Sequence, residues 1–416
     1  MSYYPNLDDI RGASDTLKGV ALRTPLIKDE NLSQRYGANI VLKREDLQNV
    51  RSYKIRGAYN KIYSLSPAER ERGVVCASAG NHAQGVAFSC NKLAISGTIY
   101  MPETTPKQKI QQVKMFGKEF INIVLIGDTF DSTNSHASLF CKEAGKTFIH
   151  PFDDPLIIEG QATVAIEILE EYSEEIDYLF IPVGGGGLAS GAGSVFKKLS
   201  SKTKIIGVEP LGAQSMKASF DKGMVTELDD IDRFVDGAAV KRVGIYTYDI
   251  CRTVLDEIVA VHEGAVCTTI LELYNRNAIV VEPAGALSIT ALSLFEKEIR
   301  GKNVVCILSG SNNDISRTEE IRERSLLYEG VKHYFIIRFP QRSGALLAFV
   351  NNVLRPGDDI THFSYSKKTN REQGPALIGV ELSDSSGFDS LIQRMKDNSI
   401  VYEYINNKQD LFGFLI

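Results

Sequence analysis

Three short segments of this 416-residue chain hold residues whose types and spacing could do chemistry. The first is Arg51-Ser52-Tyr53-Lys54-Ile55-Arg56-Gly57-Ala58, just after the polar run Glu45-Asp46-Leu47-Gln48-Asn49. It predicts a helix start with Ser52 as N-cap. A lysine placed there, with Arg51 and Arg56 nearby, is expected to have a lowered pKa, because neighbouring cations disfavour its charged form. A neutral amine is what attack on a carbonyl requires. A solvated surface lysine is the plainer alternative for that residue taken alone.

The second segment is Ser78-Ala79-Gly80-Asn81-His82-Ala83-Gln84-Gly85, directly after an apolar run ending at Cys76. A small-residue turn from strand to helix aims backbone N–H groups at an anion such as a carboxylate. Asn81 can add a neutral hydrogen bond. His82 reads either as a general base or as a structural, turn-capping residue. The third segment is Pro182-Val183-Gly184-Gly185-Gly186-Gly187-Leu188-Ala189-Ser190-Gly191. Four glycines after a buried strand let the backbone wrap an anion and feed a helix dipole, the pattern of a phosphate cradle. Gly184, Gly186 and Ala189 also fit a GxGxxA dinucleotide fingerprint, with Glu209 ending the next strand. That reading leaves Lys54 and the 78–85 turn without a role. No Gly-Lys-Ser/Thr follows these glycines, and Gly145-Lys146-Thr147 elsewhere lacks the preceding glycine of GxxxxGK[ST], which excludes a P-loop.

These segments need elements to position them. Residues 10–20 predict an amphipathic helix, and Thr24-Pro25-Leu26 an extended stretch. From about 40 to 310, short β-branched runs alternate with helical patterns: 40–42, 73–76, 96–100, 122–126, 178–181, 204–208 and 304–308. Continuous apolar runs between helices predict buried parallel strands of an α/β architecture. After about 325 the pattern becomes a strand at 332–339, a helix at 344–350, strands near 359–366 and 375–382, a helix near 387–397 and a strand near 400–405. That is a ferredoxin-like plan in a separate domain, joined by a charged linker near 318–331.

Composition narrows the function classes. A net charge of −5 with dispersed charges gives no footprint for nucleic acid or an anionic membrane. No apolar run approaches the roughly 18–20 residues that span a bilayer, and the N-terminus lacks the flank of a signal peptide. The six cysteines form no CxxC pair and the six histidines no cluster, so reduced thiols, no metal centre and a cytoplasmic location are expected. A cation beside Glu209 would lack a second carboxylate ligand in the residues that follow.

Taken together, SYKIRGA, SAGNHAQG and the glycine run resemble the fold-type II pyridoxal-phosphate enzymes, and the wording is similar to the threonine/serine dehydratase branch. The resemblance covers nearly the whole chain. It implies two open, twisted, mainly parallel sheets with flanking helices over residues 1–325, including a smaller subdomain at about 43–150. It also implies an ACT-like regulatory domain over 331–416. Carried over by position, Lys54 holds pyridoxal 5′-phosphate covalently, with Tyr53 packing beside the ring. Asn81 bonds the ring oxygen, and Gly184, Gly185, Gly186, Gly187 and Leu188 hold the phosphate. Ser309, in Ile307-Leu308-Ser309-Gly310-Ser311-Asn312-Asn313, faces the pyridine nitrogen. The turn Ser78, Ala79, Gly80, Asn81, His82 binds the substrate carboxylate. Asp236-Gly237-Ala238-Ala239-Val240 and Glu282-Pro283-Ala284-Gly285-Ala286 match family wording more loosely, and line the mouth and support the floor. For Glu282 a structural helix-start role stands beside a functional one.

The chemistry so implied is removal of the α-proton by the freed Lys54 amine and loss of the β-hydroxyl, with the cofactor phosphate as acid. Ser309, unlike an aspartate, does not favour a protonated ring nitrogen, so elimination is favoured over transamination while racemisation stays open. The expected reaction is conversion of L-threonine to 2-oxobutanoate and ammonia, controlled by isoleucine through the C-terminal domain. Gln341-Arg342-Ser343-Gly344-Ala345-Leu346 would be its ligand-side loop, and Asp358-Asp359-Ile360-Thr361 would enter its second strand. A serine dehydratase or racemase of the same family, an oligomerising C-terminal domain, a dinucleotide enzyme and an amino-acid sensor are the alternatives. A homo-oligomer, dimer or tetramer, is expected from the family.

Overall fold

The computed structural model describes residues 3–365 and 372–408. The expected strand end at 366 and the last residues of the expected C-terminal domain, 409–416, lie outside the described residues. The chain divides into two compact units, residues 1–314 and 315–416.

In the first unit the strands are, in chain order, β1 (Leu26–Lys28), β2 (Asn39–Arg44), β3 (Val74–Ala77), β4 (Gly97–Met101), β5 (Ile121–Leu125), β6 (Thr147–Phe148), β7 (Tyr178–Pro182), β8 (Lys204–Pro210), β9 (Glu257–Val261) and β10 (Asn303–Leu308). They form two open sheets. The larger has the order β1-β2-β10-β7-β8-β9, and the smaller β5-β4-β3-β6. Every pairing is parallel except β1 with β2. Parallel strands buried on both faces need apolar side chains at successive positions, and β3, β4 and β7 are buried throughout. Leu179, Ile181, Val305 and Ile307 pack with Leu188, Val195 and Phe196 of the helix Gly187–Leu199. Val74, Cys76 and Ile99 pack with Val86 and Cys90 of the helix Asn81–Leu93.

The topology places the three chemical segments at strand ends. β3 runs into the turn that opens the helix at Asn81, β7 runs into the glycines that open the helix at Gly187, and β10 runs into Ser309–Asn313. Crevices beyond the carboxyl ends of parallel strands are where open α/β sheets bind ligands. Two elements escape the sequence reading: the edge strand β9 and the two-residue β6. The first helix spans Leu7–Leu17, with the Asn6 side chain accepting from the Asp9 N–H.

Helix Lys54–Tyr63 is anchored by buried charge. The Arg56 guanidinium donates to both oxygens of Glu45 at 2.8 Å and to both oxygens of Glu167 at 2.7 and 2.9 Å. Lys43 donates to Glu167 at 2.6 Å and to the Thr24 carbonyl at 2.6 Å. Two cations thus face two anions, tying the helix to the end of β2 and to the helix Pro155–Glu171.

The second unit holds β11 (Lys332–Pro340), β12 (Asp359–Tyr365), β13 (Gln373–Glu381) and β14 (Val401–Tyr404), in the order β12-β13-β11-β14 with all pairings antiparallel. Helices Ala345–Val353 and Phe388–Asp397 complete a ferredoxin-like βαββαβ unit around Phe335, Ile337, Phe349, Ile378, Leu391 and Met395. The charged segment expected as a linker is largely a helix, Thr318–Tyr328. Its Glu323 accepts from the Tyr334 hydroxyl at 2.6 Å, and Arg322 pairs with Glu381 at 3.0 Å.

Removing one partner from the buried ion cluster leaves uncompensated charge, which costs about 3–5 kcal/mol. Arg56→Met is therefore expected to lower the unfolding free energy by about that amount, read from urea denaturation. A change below about 1 kcal/mol, the scale of an exposed pair, would contradict the anchoring role.

Candidate active site

Lys54 is the first residue of its helix, and the approach to it differs from the expected capped start. Ser52 forms an antiparallel bridge with Gly310, and the Tyr53 N–H donates to the Ser309 carbonyl at 3.2 Å. Tyr53 already has helical angles, and among the described residues no side chain caps the helix and the buried Ser52 hydroxyl has no hydrogen-bond partner. The expected N-cap fails because Ser52 is committed to the extension of β10. The start of the Lys54 helix is thereby stitched to the segment that carries Ser309.

The Lys54 amine lies in a cavity of about 640 Å³ and donates to the Pro151 carbonyl at 2.9 Å, 5.3 Å from the Tyr53 ring centroid. Burial pushes its pKa down to about 8, while the Glu282 carboxylate pulls it upward. The expected direction is right and the expected cause is not. Arg56 points into its own ion cluster and Arg51 is exposed with φ of 59°, so loss of hydration rather than neighbouring cations favours the neutral amine.

The same cavity is lined by Tyr53, by the turn Ser78–His82 and by Gly184–Leu188. The structure thus brings together every residue of the expected set except Ser309, which is buried at the end of β10 and does not line the cavity. His82 is buried, its Nε2 donating to the Ile149 carbonyl at 2.9 Å, and burial lowers its pKa to about 3. That arrangement favours the structural reading of His82: it is a strut carrying no charge near neutrality. Asn81 donates from Nδ2 to Glu282 Oε1 at 2.6 Å. Glu282 precedes the helix at Pro283 without capping it by its side chain, and burial with the nearby Asp236 raises its pKa to about 7.

The glycine loop has little room for anything but glycine. Gly186 has φ of 91°, a Cβ at Gly184 would lie 2.9 Å from the Ala238 backbone, and one at Gly185 would overlap the Phe152 ring. Thr247 Oγ1 donates to the Gly185 carbonyl at 2.6 Å. Backbone amides at the start of a thirteen-residue helix, lining the same cavity as an amine, suit the phosphate and aldehyde of pyridoxal phosphate.

Sequence reasoning missed the segment Ile149-His150-Pro151-Phe152-Asp153. Its carbonyls accept from His82 and Lys54, its Phe152 backs the glycine loop, and Asp153 accepts from the Ile245 and Thr247 N–H groups at 2.9 and 3.1 Å. The signal available was a polar, proline-containing turn straight after a strand. Across the mouth, Lys109 pairs with Asp236, within the 236–240 stretch expected there. Glu209 accepts from the Met216 and Lys217 N–H groups at the start of the helix Ser215–Lys222, and among the described residues no three His, Cys, Asp or Glu gather as a metal group.

Residues 17–310 match the family described as pyridoxal-phosphate dependent enzyme, and the chain belongs to that family. Residues 323–415 match the C-terminal regulatory domain of threonine dehydratase. The chain is 55% identical over 410 residues to the L-threonine dehydratase biosynthetic IlvA of Halalkalibacterium halodurans, covering 99% of both chains. It is also 55% identical over 404 residues to the same-named protein of Bacillus subtilis, covering 97% of this chain and 96% of that one. Among solved structures, the processed form of threonine deaminase isoform 2 from Solanum lycopersicum superposes with a TM-score of 0.72 at 39% identity, over 78% of this chain and 96% of that one. Maize serine racemase gives a TM-score of 0.72 at 28% identity, over 78% and 99%. The family's cofactor, pyridoxal phosphate, is the one the cavity suits.

Two outcomes follow from this geometry. Gly185→Ala forces Phe152 or the loop to move, at an overpacking cost of roughly 1–3 kcal/mol, so titration of apoprotein with pyridoxal phosphate should show affinity about tenfold weaker or worse; unchanged affinity would contradict the tight cradle. The rate of aldehyde uptake by apoprotein should rise with pH and level off above about 8, as the Lys54 amine loses its proton. A rate still climbing tenfold per unit beyond pH 9 would indicate an ordinary, hydrated lysine.

Proposed function

We propose that this protein converts L-threonine to 2-oxobutanoate and ammonia, eliminating water across the α and β carbons and then hydrolysing the released imine. The observation that carries the reading is the Lys54 amine, its pKa lowered by burial, sharing one cavity with the Ser78–His82 turn and the Gly184–Leu188 loop. Full-length identity to biosynthetic threonine dehydratases, regulatory portion included, supports threonine over serine chemistry or racemisation.

When bound, pyridoxal phosphate supplies an aldehyde that captures the substrate amine and a conjugated ring that accepts electrons from the α-carbon. Lys54 would hold that cofactor, and its neutral amine would take up the α-proton. The Pro151 carbonyl accepts one N–H of that amine and so restricts where its lone pair can point. The turn Ser78–His82 binds the substrate carboxylate, with His82 holding the turn to Ile149. With that cofactor bound, the backbone amides of Gly184–Leu188 would grip its phosphate, Tyr53 would pack beside its ring and Asn81 would donate to its ring oxygen, while Ser309, buried at the end of β10 behind the cavity lining, is the residue the family resemblance assigns to the ring nitrogen.

The reading places the catalytic portion in residues 1–325 and the regulatory portion in 331–416, with isoleucine as the effector of the latter. A coupling of 1–3 kcal/mol would be ordinary for such control. A homo-oligomer, dimer or tetramer, belongs to the same reading. Six free, buried cysteines support a reducing, cytoplasmic setting, and among the described residues no helix is long and apolar enough to cross a membrane.

The test is keto-acid release by the full chain from L-threonine and L-serine side by side, with and without isoleucine. Faster turnover of threonine, and several-fold inhibition by isoleucine at subsaturating threonine, are expected. D-serine formation without keto acid would favour the racemase reading, and indifference to isoleucine would remove the effector assignment.

A further inference from the structure

The Asn81 side chain is held at both of its polar ends. Its Nδ2 donates to Glu282 Oε1 at 2.6 Å, and its Oδ1 accepts from Asn312 Nδ2. An amide has one acceptor and two donor hydrogens. The Asn312 Nδ2 group can only donate, so Asn81 Oδ1 must face it and Asn81 Nδ2 is turned toward Glu282, whose oxygen accepts; these partners admit one of the two amide orientations. Asn312 is itself fixed, because its Nδ2 also donates to the Val50 carbonyl at 2.9 Å. Glu282 is 4% exposed, and its Oε1 lies where a Cβ on Gly310 would sit and 3.5 Å from a Cβ built on Gly237. Glycine at 310 therefore leaves room for this carboxylate to reach Asn81.

Val50, Asn81, Glu282 and Asn312 come from four separate stretches of the first unit, so the arrangement depends on the whole catalytic fold rather than on a local turn. Asn81, Glu282 and Asn312 all border the cavity. With one Nδ2 hydrogen committed to Glu282, the second remains for a ligand in the cavity. We propose that Glu282 and Asn312 are positioning residues that clamp the Asn81 amide so that its remaining N–H meets the ring oxygen of the cofactor. This rests on the reading that Asn81 donates to that oxygen. Without the clamp the amide could rotate and present its carbonyl, which an oxygen anion would repel.

A double-mutant cycle on the full chain tests it, using the affinity of apoprotein for pyridoxal phosphate and the absorbance spectrum of the bound cofactor. Asn81→Ala, Glu282→Ala and Asn312→Ala are each expected to weaken affinity by about tenfold, the scale of one hydrogen bond to a charged group, and to change the bound spectrum in the same sense. Adding Glu282→Ala or Asn312→Ala to Asn81→Ala should cost nothing further, because both act through that amide. Glu282→Gln retains an oxygen that can accept from Asn81 and should recover most of the affinity. It and Asn312→Ala carry the test if Glu282→Ala fails to fold, which thermal unfolding of the apoproteins would reveal. Additive losses in the Asn81→Ala background would overturn the clamp while leaving the reading of Asn81 intact. An Asn81→Ala variant with unchanged affinity and spectrum would overturn both.

Discussion

Keeping the ammonium of Lys54 out of bulk water is the constraint on which the rest of the first unit depends. An amine hydrated at the surface stays protonated near neutrality and cannot attack a carbonyl. Enclosure lowers its pKa to about 8 and, among the described residues, leaves it the Pro151 carbonyl as hydrogen-bond partner. That enclosure needs a helix start that does not move. Arg56, one half-turn beyond Lys54, supplies it through a buried ion cluster shared with Glu45, Glu167 and Lys43. Such clusters add little net stability compared with an apolar core, but they fix geometry sharply because any displacement strands a charge.

Two further groups complete the enclosure. The segment Ile149–Asp153 touches the amine, the His82 strut, the glycine loop and the helix at Ile245 at once. It leads from β6 of the smaller sheet to the helix Pro155–Glu171, so a short connection sets the spacing between the amine and the phosphate cradle. Glycines then do by absence what Phe152 does by presence. At 184 and 185 any side chain would occupy space already taken by Ala238 or Phe152. The result is a phosphate cradle shaped by backbone, where an added side chain has no room.

Much of this was legible in the sequence, for physical reasons that can be named. Strands buried on both faces must be continuously apolar, so β2, β3, β4, β7, β8 and β10 stood out, while the edge strand β9 and the two-residue β6 lacked that signature. The Lys54, Ser78–His82 and Gly184–Leu188 segments were legible because each combines unusual residue types with a strand-to-helix junction. What could not be read was long-range. Ser52 looks like a cap until Gly310 pairs with it from more than 250 positions away. Arg56 looks like a neighbouring cation until two distant carboxylates claim it. Nothing near Asn312 or Pro151 in the sequence names its partner, and their contacts with Asn81 and Lys54 exist only once the two sheets are assembled. The ferredoxin-like plan of the second unit was read correctly because its alternation is local, whereas the helix Thr318–Tyr328 is so charged that it resembled a linker.

The most direct measurement is borohydride reduction of the purified protein with pyridoxal phosphate, followed by peptide mass mapping. The account predicts a single stable phosphopyridoxyl adduct on the peptide containing Lys54, and no such adduct when Lys54 is replaced by alanine. Reduction that leaves the Lys54 peptide unmodified, or that labels surface lysines alone, would contradict it.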